Sequence, residues 1–103
     1  MIFIKVHLTP SGRILAICDE ELIGKVLKDK DKGIVIDLEK YKNFYFGEKR
    51  NEEEVEKILN GDFICINAIG EKSIKVLINN GLCNEKDIKR VEGVPMLQIF
   101  LLK

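Results

Sequence analysis

Apolar and polar residues first alternate with a period of two. Ile2, Ile4, Val6 and Leu8 alternate with Phe3, Lys5 and His7, which predicts a strand with one fully apolar face. Thr9-Pro10-Ser11-Gly12 then reads as a turn, since Pro fixes φ and Gly permits a positive φ. Arg13 to Cys18 reads as a second strand, and so short a connection predicts an antiparallel hairpin. Leu22, Ile23, Val26 and Leu27 change the spacing to that of a short helix, with Asp19 as its N-cap and Glu20 and Glu21 in the first turn. Gly24 weakens that helix by about 1 kcal/mol relative to Ala. The charged run 28–33 is expected to be a loop, Ile34 to Leu38 a third strand, and Lys40 to Arg50 irregular.

Two further helices carry clearer punctuation. Asn51 with Glu54 three residues later forms a capping-box pattern, and Val55, Ile58 and Leu59 make the stripe, with Gly61 expected to close the helix in the left-handed region. After a strand from Asp62 to Asn67, the stripe Ile74, Leu77 and Ile78 predicts a helix from about Glu71 to Asn80 with Gly81 beyond its end. Asn84 is placed to cap one more turn through Ile88. Lys89 to Val91 reads as a weak strand, residues 92–95 as a turn, and Leu97 to Leu102 as a last strand buried on both faces. The expected fold is α/β of the α+β kind. It has a mixed sheet of five or six strands, an N-terminal hairpin, and two to three helices mainly on one face.

Composition sets limits on these elements. A chain of 103 residues fits one domain, 1–103, and 46% hydrophobic residues supply a core. Charged residues reach 33%, above the usual level of about 25%, yet 17 basic and 17 acidic residues cancel. That balance argues against a general polyanion binder while permitting a local basic patch. Fourteen Lys and fifteen Ile fit a thermophile's composition and equally an AT-rich coding bias. Three widely spaced Cys at 18, 65 and 83 are no disulfide framework. With no leader-like start and no run of about 20 apolar residues, a cytoplasmic protein without a membrane span is expected.

Candidate chemistry is sparse. A zinc site needs about four N or S ligands, usually in close pairs, and here only His7, Cys18, Cys65 and Cys83 are on offer, far apart in sequence. Neither a metal nor a cofactor is expected, and Cys18 and Cys65 read as small core residues. Asp19, Glu20 and Glu21 concentrate acid directly after a strand, where a ligand or an acid–base pair can sit, although capping and the helix dipole explain all three. His7 is the lone imidazole and a candidate acid or base. Gly70-Glu71-Lys72-Ser73 opens a helix after a strand, an arrangement able to bind phosphate through free N–H groups, but it lacks the P-loop's glycine spacing.

Lys40-Tyr41-Lys42-Asn43-Phe44-Tyr45-Phe46 interleaves cations and rings, as a surface that stacks bases would. The competing expectation is core or edge packing, with Phe44 and Phe46 inward and Tyr45 outward if the segment is a strand. Residues 25–50 hold eight basic and five acidic side chains, a local excess of three positive charges.

Several stretches together resemble the archaeal domain-of-unknown-function family 424. They are 5–7, 18–25, 44–48 (Phe44 to Glu48), 67–72, 80–82, and Gly93-Val94-Pro95 with Gln98. The resemblance covers nearly the whole chain and carries no catalytic residues with it. Family members tend to be encoded near archaeal translation factors, which implies a housekeeping role around the ribosome. Where the family commonly has Pro-His-Ala-Gln, this chain has Pro95-Met96-Leu97-Gln98, so any chemistry dependent on that His is absent here. The reading favoured is a non-enzymatic accessory domain for a protein or RNA partner. Its contact surface would include Lys40, Tyr41, Lys42, Phe44, Tyr45, Gly47 and Glu48, with Gly70 and Lys72 as further binding candidates. The alternatives are a small enzyme or ligand-binding protein using His7, Asp19, Glu20 and the Gly70 junction, and a structural homodimer formed through an edge strand.

Overall fold

A computed structural model describes residues 1–101. The alternating N-terminal segment forms β1 (Ile2–Thr9), which turns through Pro10-Ser11 into antiparallel β2 (Gly12–Asp19). Thr9 secures the turn: its hydroxyl donates to the Gly12 carbonyl and accepts from the Ser11 N–H. Later segments add β5 (Glu48–Arg50) outside β1, β6 (Cys65–Ile69) parallel to β2, and β8 (Val94–Phe100) antiparallel to β6, with β7 (Lys89–Val91) at the far edge. The result is a six-stranded mixed sheet in the order β5-β1-β2-β6-β8-β7. A separate two-stranded hairpin is made by β3 (Val26–Asp29) and β4 (Ile34–Asp37). The fold is α+β with an N-terminal hairpin, as expected.

Register assigns every strand residue to a face. Ile2, Ile4, Leu15, Ile17, Ile66, Ala68, Leu97 and Ile99 share one side. Helices α2 (Glu52–Ile58) and α3 (Glu71–Asn79) cover that side, contributing Val55, Ile74, Val76 and Leu77 to the main core. The Asn51–Glu54 capping box forms as read: the Asn51 side chain accepts from the Glu54 N–H at 2.8 Å, and the Glu54 carboxylate accepts from the Asn51 N–H at 3.1 Å. On the opposite side, Cys18, Ile69 and Met96 meet a smaller cluster with Leu22, Leu38, Ile36 and Tyr45, and Phe3 packs on Phe46. A one-turn helix, α1 (Lys42–Tyr45), sits on this side.

Several expectations change: the strand expected from Asp62 begins at Cys65 and runs to Ile69, and the segment expected to be irregular holds α1 and β5. The helix after Asp19 is only a 3-10 turn, Glu20–Leu22, and the rest of the stripe enters β3. Gly24 breaks it with φ +91°, a conformation L residues rarely adopt, and the Asp19 carboxylate caps a different helix. The first two residues of the expected loop, Lys28 and Asp29, therefore belong to β3. Gly61 ends α2 without a left-handed φ, whereas Gly81 adopts one at +70°. The last strand is buried on one side only, because no helix of the described residues lies over the second face of its end: Phe100 is 69% exposed. That strand's Leu102 lies outside the described residues.

The hairpin of β7 and β8 turns through Glu92-Gly93, with φ of +51° and +77°. Positive φ at both positions is the turn that matches strand twist. Glu92 occupies it without being Gly or Asn, and its carboxylate accepts from the Lys28 N–H at 3.0 Å. This bond ties the β3–β4 hairpin over the second face of the sheet and so fixes one wall of the groove described next.

Candidate functional site

The strand-to-helix junctions after β2 and β6 are neighbours, because those strands are parallel and adjacent. Asp19 is buried at the meeting point. Its carboxylate accepts from the Lys72 N–H (3.0 Å), the Ser73 N–H (2.9 Å) and the Ser73 hydroxyl (2.8 Å). The donors at the start of α3 that an external phosphate would use are thus engaged by an internal anion. Gly70, at φ +113°, is required here, since any Cβ would overlap the Asp19 carboxyl. The cavity left at the junction is about 150 Å³ and is lined by Asp19, Gly70, Lys72 and Pro95 among others.

His7 does not join this group. Asp19 pairs with Ile2 and His7 with Ile14, five positions apart along β1 and on opposite faces. At ~3.3 Å per residue the separation along the strand is about 17 Å. The His7 ring stacks on Phe44 with centroids 4.3 Å apart, and its Nε2–H donates to the Phe44 carbonyl at 2.8 Å. Glu20 faces solvent, where a hydrogen bond from Lys49 at 2.9 Å holds its carboxyl below the usual range.

The aromatic segment divides in two. Lys40 lies over the ring of Tyr41, which is 56% exposed, and Lys42 pairs with Glu39. Phe46 is also exposed, leaning on Phe3, while Phe44 and Tyr45 turn inward. Phe44 is inward as strand alternation would have it, but Tyr45 and Phe46 exchange places, and the reason is local: residues 42–45 form a helical turn, so adjacent rings share one side. Gly47 passes so close to the Ile4 carbonyl that a Cβ would collide with it. Glu48 pairs with Arg50 at the sheet edge.

The Tyr45 side chain leads to a groove that neither motif predicted. It lies between the β3–β4 hairpin and the open end of the second face. A cavity of about 380 Å³ has Ile36 and Leu38 on the hairpin side, Met96 on the sheet side, Asn67 and Gln98 on its floor, and Tyr45 and Lys89 at its ends. An adjoining cavity of about 710 Å³ shares Ile36, Lys89 and Met96 and continues past Lys32 and Arg90. Among the described residues, no carboxylate lines either cavity. Arg90 is engaged by Glu71 at 2.9 Å, whereas Lys32 and Lys89 form no ion pair among the described residues.

Asn67 and Gln98 are direct partners across β6 and β8, so their amides lie side by side. Each donates to the Cys65 sulfur, at 3.7 and 3.8 Å. Burial pushes the Cys65 thiol up, and the two amide donors pull it partly back. Burial likewise pushes the Tyr45 phenol up to about 12, so it is a neutral hydroxyl at physiological pH. That hydroxyl makes no hydrogen bond within the described residues. Its free donor, two adjacent amides and a basic rim can meet a polar, anionic ligand. Sequence reading passed over Asn67 and Gln98 as binding residues. The available signal was one polar residue in each of two apolar strands, at positions that only the register brings together.

The fold is that of a small α+β protein with a groove on the second face of its sheet. The profile of the family described as "Protein of unknown function (DUF424)" matches residues 7–102, and the chain belongs to that family. Its structure is similar to that of an uncharacterized conserved protein from Methanopyrus kandleri. The TM-score is 0.83 at 30% identity, over 98% of this chain and 91% of that one. No curated protein matches the sequence. Met96 lines both cavities. No helix of the described residues is long and apolar enough to cross a membrane, and no group of three or more His, Cys, Asp or Glu among them is arranged to hold a metal.

Proposed function

We propose that this chain is a non-enzymatic binding domain that takes an anionic partner into the groove between the β3–β4 hairpin and the sheet. The setting implied by the family resemblance is archaeal translation or ribosome biology, within the cytoplasm. The observation that carries the reading is the groove's lining: two unpaired lysines, two oriented amides and a free phenol, in a chain whose overall charge is zero. The expected contact surface thereby shifts. Tyr45 remains in it, while Lys40, Tyr41 and Lys42 form a neighbouring outer rim and Glu48 lies at the far edge of the sheet. The enzyme reading has no comparable support, since His7 and Asp19 are on opposite faces and Asp19 is engaged as a cap.

The test is purification of tagged wild type and a Lys32→Glu/Lys89→Glu variant from the protein's own cells, with and without nuclease. Partners recovered with wild type and lost with the variant support the reading. Equal recovery with both moves the contact surface away from the groove.

A homodimer has one observation in its favour. β5 pairs only with Ile2 to Ile4, so the outer edge of β1 from Lys5 to Thr9 has no strand partner among the described residues, and Leu8 there is 81% exposed. Light scattering that gives a dimer mass, reduced to a monomer by Leu8→Lys, would establish it.

A further inference from the structure

We infer that the groove reads unpaired bases of single-stranded RNA, with the Asn67 and Gln98 amides as the base-reading pair. This rests on the binding reading above and names its ligand.

A nucleobase edge presents donors and acceptors in one plane, and a single amide or a matched pair of amides meets them bidentately. Asn67 and Gln98 suit this task because their register sets the amides side by side on an open sheet face. The bonds to Cys65 use one N–H of each amide. Each side chain keeps a carbonyl oxygen and a second N–H for a ligand. Cys65 is therefore a positioning residue that orients both amides through one sulfur. Ile36 and Met96 supply apolar contact for the base faces, and Phe100, 69% exposed on the same sheet face, offers a ring for a further base.

Length favours a strand of RNA over a single nucleotide. The two cavities share three residues and together run from Gln98 to Lys32, past Lys89. Lys89 where the two cavities meet, Lys32 further along, and no carboxylate among the described lining residues suit a chain of phosphates. A protein partner would more commonly be matched by acidic and basic groups interspersed. Duplex RNA hides the base edges that the amides would read, so an unpaired strand is the form that fits.

The experiment is fluorescence anisotropy of the whole protein with labelled ten-nucleotide homopolymers of A, U, C and G, competed by the matching mononucleotide. The variants are Asn67→Leu/Gln98→Leu and Lys32→Glu/Lys89→Glu, each checked for a native circular dichroism spectrum and melting curve. We expect wild type to prefer one base by about tenfold, the worth of a good bidentate contact. The leucine variant should lose that preference and keep a salt-dependent residue of binding. The glutamate variant should weaken all four RNAs together and flatten the salt dependence. Cys65→Ser keeps a small hydrogen-bonding group and should retain more of the preference than Cys65→Val. Binding without base preference, or a preference untouched by the leucine pair, overturns the inference. So does full competition by the mononucleotide at equal affinity, which would make the ligand a free nucleotide. If no RNA binds while the groove-dependent partner of the purification experiment persists, the base-reading inference fails and the binding-domain reading stands.

Discussion

Asp19 caps a helix through Ser73, 54 residues further along the chain: its buried carboxylate accepts from the Ser73 N–H at 2.9 Å and the Ser73 hydroxyl at 2.8 Å. The interaction joins the end of β2 to the start of α3 and so fixes how the helix layer seats on the sheet. Replacing Asp19 by Ala leaves three donors without their acceptor, and should lower the unfolding free energy by about 3 kcal/mol or more. Ser73→Ala leaves the two backbone donors satisfied and should cost only about 1–2 kcal/mol. Urea unfolding of both variants measures the difference.

Gly70 and Gly33 separate two causes of strain. Both have positive φ, but a Cβ at Gly70 overlaps the Asp19 carboxyl, whereas one at Gly33 meets nothing within 4 Å. Gly33→Ala should cost about 1–2 kcal/mol from backbone conformation alone. Gly70→Ala should cost clearly more, because the cap must move as well, and thermal melts of the two should rank them in that order.

Alkaline pH should destabilise the fold. Burial pushes the Cys18 thiol from 9.0 to about 12, with the carboxylates of Asp19 and Glu21 adding to the shift. Burial pushes the Tyr45 phenol from 10.0 to about 12. Both groups keep their protons in the folded state at a pH where the unfolded chain has released them. Stability is therefore unaffected by them below about pH 9 and falls as pH rises towards 12. Cys18→Val should flatten the first part of that fall, as read by urea midpoints at successive pH values.

The aromatic segment should divide by position. Tyr41 is 56% exposed, and Tyr41→Ser should change stability by no more than about 0.5 kcal/mol. Tyr45→Phe removes only the hydroxyl in the groove. It should leave the melting temperature near wild type and weaken ligand binding severalfold, whereas Tyr41→Ser should leave groove binding unchanged.

Much of the fold was legible because local rules governed it. Alternation placed β1, short apolar runs placed β2 and β4, the Asn51–Glu54 box placed α2, and the stripe from Ile74 with Gly81 placed α3. The failures share a non-local cause. Asp19 looked like the cap of its own helix because nothing in the sequence shows that Ser73 comes within reach. Gly24 then let Val26 enter a strand, and the apolar spacing of Leu22, Ile23, Val26 and Leu27 suits either outcome. The groove was the least legible feature. Asn67 and Gln98 lie 31 positions apart, and only the β6–β8 register makes them a pair. Their separate appearance in two apolar strands marked each as unusual without giving the pairing.

The most direct test of the groove as the ligand site is an NMR titration of uniformly 15N-labelled protein with single-stranded ten-nucleotide RNA of mixed sequence. The side-chain amide signals of Asn67 and Gln98 and the backbone signals of Ile36 and Lys89 should move together and saturate together. Shifts confined to residues 40–46, or to the Gly70 junction, would contradict the account and place the contact surface elsewhere.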